Sequence, residues 1–211
     1  MSADRVLTVA VVTAGMGIPS ATGKLGDRIG EAVTAELAGR GVEARVVRIE
    51  VREVAHEAVN AALTQVAGPA LQQALDDVAA ADAVVAVTPV WNGAASGLFK
   101  LFFDVLDQGA LSGKPMVLGA TGGTARHSLA IDQSMLPMFW MLKARPVPTP
   151  VFAATEEWGQ ASGLSDRIER AAADLADALT AVAPRPADDP FDDVPDFRTM
   201  LGLGASDRTV R

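Results

Sequence analysis

The chain has 211 residues, of which 49% are hydrophobic and 21% charged, so it carries enough apolar surface for a packed core. Its 18 Lys and Arg against 26 Asp and Glu leave a net charge of −8, which argues against a nucleic-acid partner, because such binders carry a basic face. The absence of Cys excludes disulfides, thiolate metal sites and cysteine nucleophiles. Since no segment approaches the roughly 18 consecutive apolar residues of a membrane span, we expect a cytoplasmic protein without a membrane partner.

Strands and helices alternate along the predicted chain. In chain order, the sequence predicts a strand at 6–12, a helix at 24–40, a strand at 43–51, a helix at 69–81, a strand at 83–87, a helix at 96–107, a strand at 115–120, a helix within 128–143 that is interrupted near Pro137, a strand at 151–154 and a helix at 164–182. Strands such as 83–87 are apolar on both faces, which is typical of a buried parallel sheet. The first helix carries an apolar stripe that includes Leu25, Ile29 and Val33. We therefore expect an α/β fold with a doubly wound parallel sheet.

Two segments interrupt this alternation. Residues 52–68 lack clear strand character and are expected to form either a helical excursion or a mobile loop. The stretch after Pro184 is rich in Pro and Asp, a composition that favours extended or disordered chain, although apolar residues such as Phe191 and Leu201 leave docking on a neighbouring subunit open. We therefore expect one domain over 1–183 and an acidic, proline-rich extension over 184–211.

Three of the buried strands are followed by loops rich in glycine or hydroxyl groups, at 13–23, 88–93 and 121–124. In an open parallel α/β sheet, ligands bind outside the carboxyl ends of the strands, so these loops are the candidate site. The first loop matches neither common phosphate motif. Gly17 and Gly23 are one residue too far apart for a P-loop, and Ser20 stands where the dinucleotide fingerprint has its third glycine.

The first loop nevertheless opens a helix, and the N–H groups and positive dipole of a helix N-terminus suit a phosphate monoester. Its hydroxyl residues Ser20 and Thr22 equally suit plain helix capping, which is the commoner role of such residues. Trp91 follows a buried strand among turn-forming residues, where it would either cover a planar ligand or anchor a loop or subunit contact. His127, after the third loop, would either contact a ligand or serve as a polar residue at a helix start. With two separated His and no Cys, no metal site is predicted.

Taken together, the loops resemble the NAD(P)H-dependent FMN reductases of the flavodoxin-like superfamily. The matching stretches are Ala14-Gly15 with Pro19-Ser20-x-Thr22, then 88–93 continuing to 96–100, and Ala120-Thr121-Gly122-Gly123-x-Ala125-x-His127-x-Leu129-Ala130-x-Asp132 followed by Leu136-Pro137. The likeness extends over roughly residues 5–155. It is greatest to the reductases that supply flavin to two-component monooxygenases, including an actinobacterial branch.

This resemblance implies a flavodoxin-like, five-stranded parallel sheet of order 2-1-3-4-5 in three αβα layers, with FMN bound at its carboxyl edge. Residues of the first loop would bind the phosphate, and those of the second and third loops would border the flavin ring. The cofactor-binding residues implied are Thr13, Ala14, Gly15, Ser20, Ala21, Thr22, Pro89, Val90, Trp91, Asn92, Gly93, Thr121, Gly122, Gly123 and His127. The family often carries an Arg in the first loop; residues 16–18 lack one, which leaves Lys24 or a neighbouring subunit to supply the charge.

The function implied is transfer of hydride from NAD(P)H to N5 of FMN in a stacked pair, which requires no protein acid or base, so no catalytic side chain is predicted. The reduced FMN would pass to a partner flavin-dependent monooxygenase. An FMN-dependent quinone or azo-dye reductase is the alternative enzyme. A non-enzymatic flavodoxin-like electron carrier is disfavoured, because the third loop offers Thr and Gly rather than an aromatic ring. A homodimer or homotetramer is expected, and the choice between NADH and NADPH stays open.

Overall fold

In the computed structural model of the chain, the described residues are 5–158 and 163–181. The strands are Leu7–Thr13 (β1), Ala44–Glu50 (β2), Ala83–Trp91 (β3), Ala94–Ala95 (β4), Pro115–Gly122 (β5), Arg145–Pro146 (β6) and Val151–Ala154 (β7). The helices are Ala21–Gly39 (α1), Val51–Thr64 (α2), Pro69–Ala80 (α3), Gly97–Asp104 (α4), Leu136–Met141 (α5) and Leu164–Ala181 (α6). The predicted extension over 184–211 lies outside the described residues, so the division of the chain into two parts stays a prediction.

The strands form one sheet in which β2, β1, β3 and β5 lie side by side and parallel. The fifth position beside β5 is shared by β6 and β7, both parallel to it. The order 2-1-3-4-5 is therefore confirmed for the principal strands. The sheet has seven strands rather than five for two reasons. The fifth strand is split around Pro148 and Pro150, which cannot donate ladder hydrogen bonds, and β4 adds a short antiparallel arm to β3.

Helices cover both faces of the sheet, which confirms the three-layer arrangement. Alternate residues of β1 point to opposite sides: Val9 and Val11 pack with α1 and α6, while Ala10 and Val12 pack with α2, α3 and α4. The close approach of α1 depends on Gly26, where a Cβ would stand 2.6 Å from the Thr13 Cγ2. On the opposite face, the rings of Phe99, Phe103 and Phe139 meet edge-to-face with centroids 4.8–6.0 Å apart.

One open alternative is decided by the structure, and two elements differ from their predicted form. The uncertain segment at 52–68 is mostly the helix α2, so the helical alternative is confirmed. The third strand runs on past 87 to Trp91 because it pairs with β4 in a hairpin. The interrupted helix predicted within 128–143 is a π-helical turn, Ile131–Met135, followed by the short helix α5, and Pro137 lies in the first turn of α5 rather than at a break. Among the described residues, no helix is both long and apolar enough to cross a bilayer.

Candidate functional site

The carboxyl ends of β1, β3 and β5 lie next to one another, and the three loops predicted to form the site meet there. In the first loop the chain folds back tightly from β1 to α1. A Cβ on Gly15 would overlap the Ser20 Oγ and stand 2.9 Å from the Thr22 Cβ, so this turn requires glycine. Thr13 and Ala14 are buried beneath the loop.

Ser20 begins the helix α1 and caps it. Its Oγ accepts a hydrogen bond from the Gly23 N–H at 3.0 Å, which confirms the capping interpretation for this residue. The Ser20 carbonyl accepts from the Lys24 N–H. Within the described part of the chain, the N–H groups of Ala21 and Thr22 have no acceptor, as is usual for the first turn of a helix. The loop therefore presents two backbone donors and the positive end of a helix dipole.

Thr22 does not cap the helix. Its hydroxyl lies 2.9 Å from the Thr121 hydroxyl, and the two residues are 3% and 7% exposed. Because β3 separates β1 from β5 in the sheet, this hydrogen bond joins the first loop to the third across the end of β3. It therefore fixes the spacing of the two loops.

The second loop is a β-hairpin. Asn92 and Gly93 form its two-residue turn, with φ of 51° and 80°, the left-handed pair that such turns require. The base of the hairpin is fastened by the Ser96 N–H, which donates to the Thr88 Oγ1 at 3.0 Å. Trp91 lies on the outer strand end with half of its surface exposed (50%). The hairpin thus holds a large ring at the mouth of the site on a fixed support.

The third loop contains two successive glycines, Gly122 and Gly123, whose surroundings differ. A Cβ on Gly122 would stand 2.9 Å from the Phe152 Cζ, whereas a Cβ on Gly123 would contact nothing within 4 Å. The chain then turns through a 3₁₀ turn, Ala125–His127, and His127 is exposed. The loop therefore packs tightly against β7 on one side and leaves open space on the other.

A cavity of about 200 Å³ lies between these loops. Seven of the predicted site residues line it: Ala21, Pro89, Val90, Trp91, Thr121, Gly122 and Gly123. The other eight, Thr13, Ala14, Gly15, Ser20, Thr22, Asn92, Gly93 and His127, lie around it without lining it. Three lining residues were missed by the sequence reasoning: Ala153, Thr155 and Trp158. Ala153 lies near the end of β7, and Thr155 and Trp158 follow it, so the rule that ligands bind at strand ends would have included them had it been applied to β7.

The segment that carries these missed residues is fastened by an ion pair. The Arg167 guanidinium donates to the Glu157 Oε1 at 2.5 Å and to the Phe152 carbonyl at 3.1 Å, while the Glu157 Oε2 accepts from the Ala154 N–H at 2.9 Å. Partial burial acts to raise the pKa of Glu157, but the Ala154 amide and the Arg167 guanidinium outweigh it and leave this pKa below its ordinary value. The carboxylate therefore stays ionised and holds the wall of the cavity at neutral pH.

The described residues contain no group of three or more His, Asp and Glu side chains placed to bind a metal ion. The cavity offers apolar surface, two glycines and a helix N-terminus. These features suit a planar ligand that carries a phosphate.

Comparison with known proteins gives the site a family context. The model of a family described as NADPH-dependent FMN reductase matches residues 7–159, which is most of the chain. An NADH-dependent FMN reductase, SfnE, from Pseudomonas putida is 40% identical over 99 residues, 45% of this chain and 53% of that protein. The chain therefore spans about half the length of the curated relatives it matches.

Two solved structures extend the likeness to the fold. An oxidoreductase from Corynebacterium diphtheriae is 40% identical, with a TM-score of 0.81 over 84% of this chain and 99% of its own. A flavodoxin, WrbA-like protein from Agrobacterium tumefaciens has a TM-score of 0.57 at 17% identity, over 84% of this chain and 99% of its own. The second likeness shows the fold alone, and that fold is flavodoxin-like.

Proposed function

The chain belongs to the NADPH-dependent FMN reductase family, and we propose that its three-loop cavity binds FMN for reduction by NAD(P)H. The observation that carries this proposal is the position of the cavity. It lies at the carboxyl ends of β3 and β5, beside the N-terminus of α1, with a half-exposed indole at its mouth.

The residues present fit the phosphate of FMN. The acceptor-less N–H groups of Ala21 and Thr22 and the dipole of α1 favour an anion, and the Ser20 hydroxyl lies beside them. Lys24 is exposed one turn into the helix and adds positive charge. The Thr22 hydroxyl, which contacts Thr121, contributes by positioning rather than by facing the phosphate.

Ser20→Ala tests this assignment. Losing a hydrogen bond to a charged group should weaken FMN binding by about 1–3 kcal/mol. Riboflavin lacks the phosphate, so its affinity should not change. Equal losses for the two flavins would contradict the phosphate assignment and leave Ser20 as a helix cap alone.

The residues present also fit a flat aromatic ring. Pro89, Val90 and Trp91 form an apolar wall, and Gly123 has no side chain to obstruct the opposite edge. When bound, the flavin would supply the hydride chemistry, and the protein would orient it. Stacking of coenzyme and flavin supplies proximity without a catalytic side chain. The absence of such a side chain stays a prediction.

The activity is tested with purified, flavin-free protein. NADH and NADPH oxidation is measured with and without added FMN. Oxidation that depends on added FMN supports the proposal. Oxidation that needs a quinone or an azo dye instead would favour the alternative reductase, and tight FMN binding without coenzyme oxidation would favour an electron carrier.

Release of reduced FMN to a monooxygenase is the finer part of the proposal. The cavity is small and Trp91 is half exposed, so the ring site is open to solvent, as exchange of flavin between proteins requires. FMN should therefore be lost on desalting. Retention of stoichiometric FMN through repeated desalting would contradict a supplying role and favour a prosthetic one.

We also propose a homodimer or homotetramer. Leu129, Trp140 and Met141 are large, apolar and exposed around the π-helical turn and α5, and exposed apolar patches commonly mark subunit contacts. Light scattering on the purified protein measures its molar mass in solution, and the molar mass of a monomer at micromolar concentration would contradict the proposal.

A further inference from the structure

We infer that a second cavity, beside the proposed flavin site, receives the adenosine half of NADH, and that Asp132 there selects NADH against NADPH. The inference rests on the proposed function. The cavity measures about 320 Å³, a size suited to a small organic group. Its apolar lining comes from Ala125, Ile131, Pro150 and Phe152, which offer apolar surface to a purine.

The two cavities are neighbours. The segment that follows β7 lines both: Thr155 and Trp158 line the first, and Glu157, which lies between them in the chain, lines the second. Gly122, which lines the first cavity, packs against Phe152, which lines the second: a Cβ on Gly122 would stand 2.9 Å from the Phe152 Cζ. An extended ligand with one end over the flavin cavity therefore meets the second cavity next.

The 3₁₀ turn Ala125–His127 spans the boundary. Ala125 lines the second cavity, and His127 lies near Gly122 of the first. Between them, Arg126 is exposed and does not line either cavity. A cation at this boundary suits the pyrophosphate that joins the two halves of a dinucleotide.

The charge of the second cavity determines which dinucleotide it accepts. Arg167 lines the cavity, but its guanidinium is bound to Glu157 and the Phe152 carbonyl. Asp132 is exposed, and among the described residues it forms no ion pair. Its carboxylate can accept hydrogen bonds from the two hydroxyls of a ribose, as acidic residues do in other dinucleotide sites. The 2′-phosphate of NADPH would instead meet the negative charge of Asp132. The one basic residue among those that line this cavity, Arg167, is already paired with Glu157.

Steady-state kinetics test the selectivity. Oxidation of NADH and of NADPH is compared at saturating FMN in the wild-type protein, in Asp132→Asn and in the matched control Asp107→Asn, which removes an exposed carboxylate after α4. We expect the wild type to favour NADH at least about tenfold in kcat/KM, because like charges in contact are strongly unfavourable. Asp132→Asn should lose most of this ratio through a lower KM for NADPH, and Asp107→Asn should retain it. A wild type that uses NADPH as well as NADH, or a ratio unchanged in Asp132→Asn, would overturn the inference.

A binding measurement separates this inference from the proposed function. FMN-free protein is titrated calorimetrically with 5′-AMP and with adenosine 2′,5′-bisphosphate, which differ by the 2′-phosphate alone. The wild type should bind 5′-AMP more tightly, Asp132→Asn should bind the two alike, and Ala125→Trp, which fills the cavity, should bind neither. If neither coenzyme is oxidised with FMN, the proposed function fails, and these titrations still decide the second cavity. Equal affinity of the wild type for both nucleotides would overturn its assignment.

Discussion

The buried contact between Thr22 and Thr121 makes a sharp prediction about stability. Thr22→Val keeps the shape of the side chain but leaves the Thr121 hydroxyl buried without its partner, 2.9 Å from a methyl group. An unsatisfied buried hydroxyl costs about 1–3 kcal/mol, and Thr121→Val should cost about the same for the same reason. When both hydroxyls are replaced, no buried hydroxyl is left without a partner, and the remaining cost is the shift that two methyl groups need, because they cannot approach to the 2.9 Å that separates the hydroxyls. The double variant should therefore be clearly more stable than the sum of the two single losses implies.

The assay is urea unfolding of the four proteins at fixed pH, with a shared slope against denaturant so that midpoints report the free energy of unfolding. The interaction term of the double-mutant cycle should be at least about 1 kcal/mol. FMN affinity, measured in parallel, should fall in each single variant because the loops lose their fixed spacing. Additive stability losses within about 0.5 kcal/mol would refute the reasoning, since independent sites behave in that way.

Three further predictions concern other contacts that stabilise the fold. Lys114→Met should destabilise the protein by about 1–3 kcal/mol, because the Lys114 ammonium donates to three carbonyls, of Val78, Ala79 and Ala81, at the end of α3. Burial lowers the pKa of Lys114 to about 8, so the unfolded chain binds more protons above that pH, and the free energy of unfolding should rise from about pH 8 to pH 10. Gly122→Ala should lower both stability and FMN affinity, because its Cβ would press on the Phe152 ring.

The controls for these predictions are built into the chain. Because the chain has no Cys or Tyr side chain to ionise in this pH range, Lys114→Met should flatten the rise in stability. A rise that persists unchanged in that variant would assign it to other groups. For the stability of Gly122→Ala, Gly123→Ala is the matched substitution, since a Cβ there contacts no protein atom. If both glycine variants behave alike, close packing against Phe152 is not what Gly122 provides.

The elements that the sequence predicted well are those whose burial leaves a strong pattern. Strand β3 is buried on both faces and reads as an unbroken apolar run, so its place in a parallel sheet was evident. Helix α2 was not. Its buried face includes Ala58 and Ala61, and small alanines give a weak apolar signal beside Val51 and Val54. The buried residues of α2 recur at spacings of three and four, as in a helix. Two of the four are alanines, which are also common on exposed helix surfaces, so the pattern does not show clearly which face is buried.

The site was predictable to the extent that it depends on local turns. Gly15, Ser20 and Gly123 are residue types that favour turns or helix caps, and each lies within a few positions of a predicted strand end. The contact of Thr22 with Thr121 spans 99 residues, and no local pattern reveals which hydroxyls will meet. Trp158 was missed for a different reason: the rule that ligands bind at strand ends was not applied to the four-residue strand β7, which Trp158 follows.

The central claim is that FMN occupies the cavity between the three loops, and an FMN fluorescence titration of two matched variants tests it most directly. Gly123→Leu places a side chain into the cavity from a position where a Cβ meets nothing, so folding should be unaffected. Gly39→Leu makes the same change at the last residue of α1, where a Cβ also meets nothing and no cavity is lined. The account predicts that Gly123→Leu loses FMN binding while Gly39→Leu binds as tightly as the wild type. Wild-type affinity in Gly123→Leu, with the fold intact by circular dichroism, would contradict it.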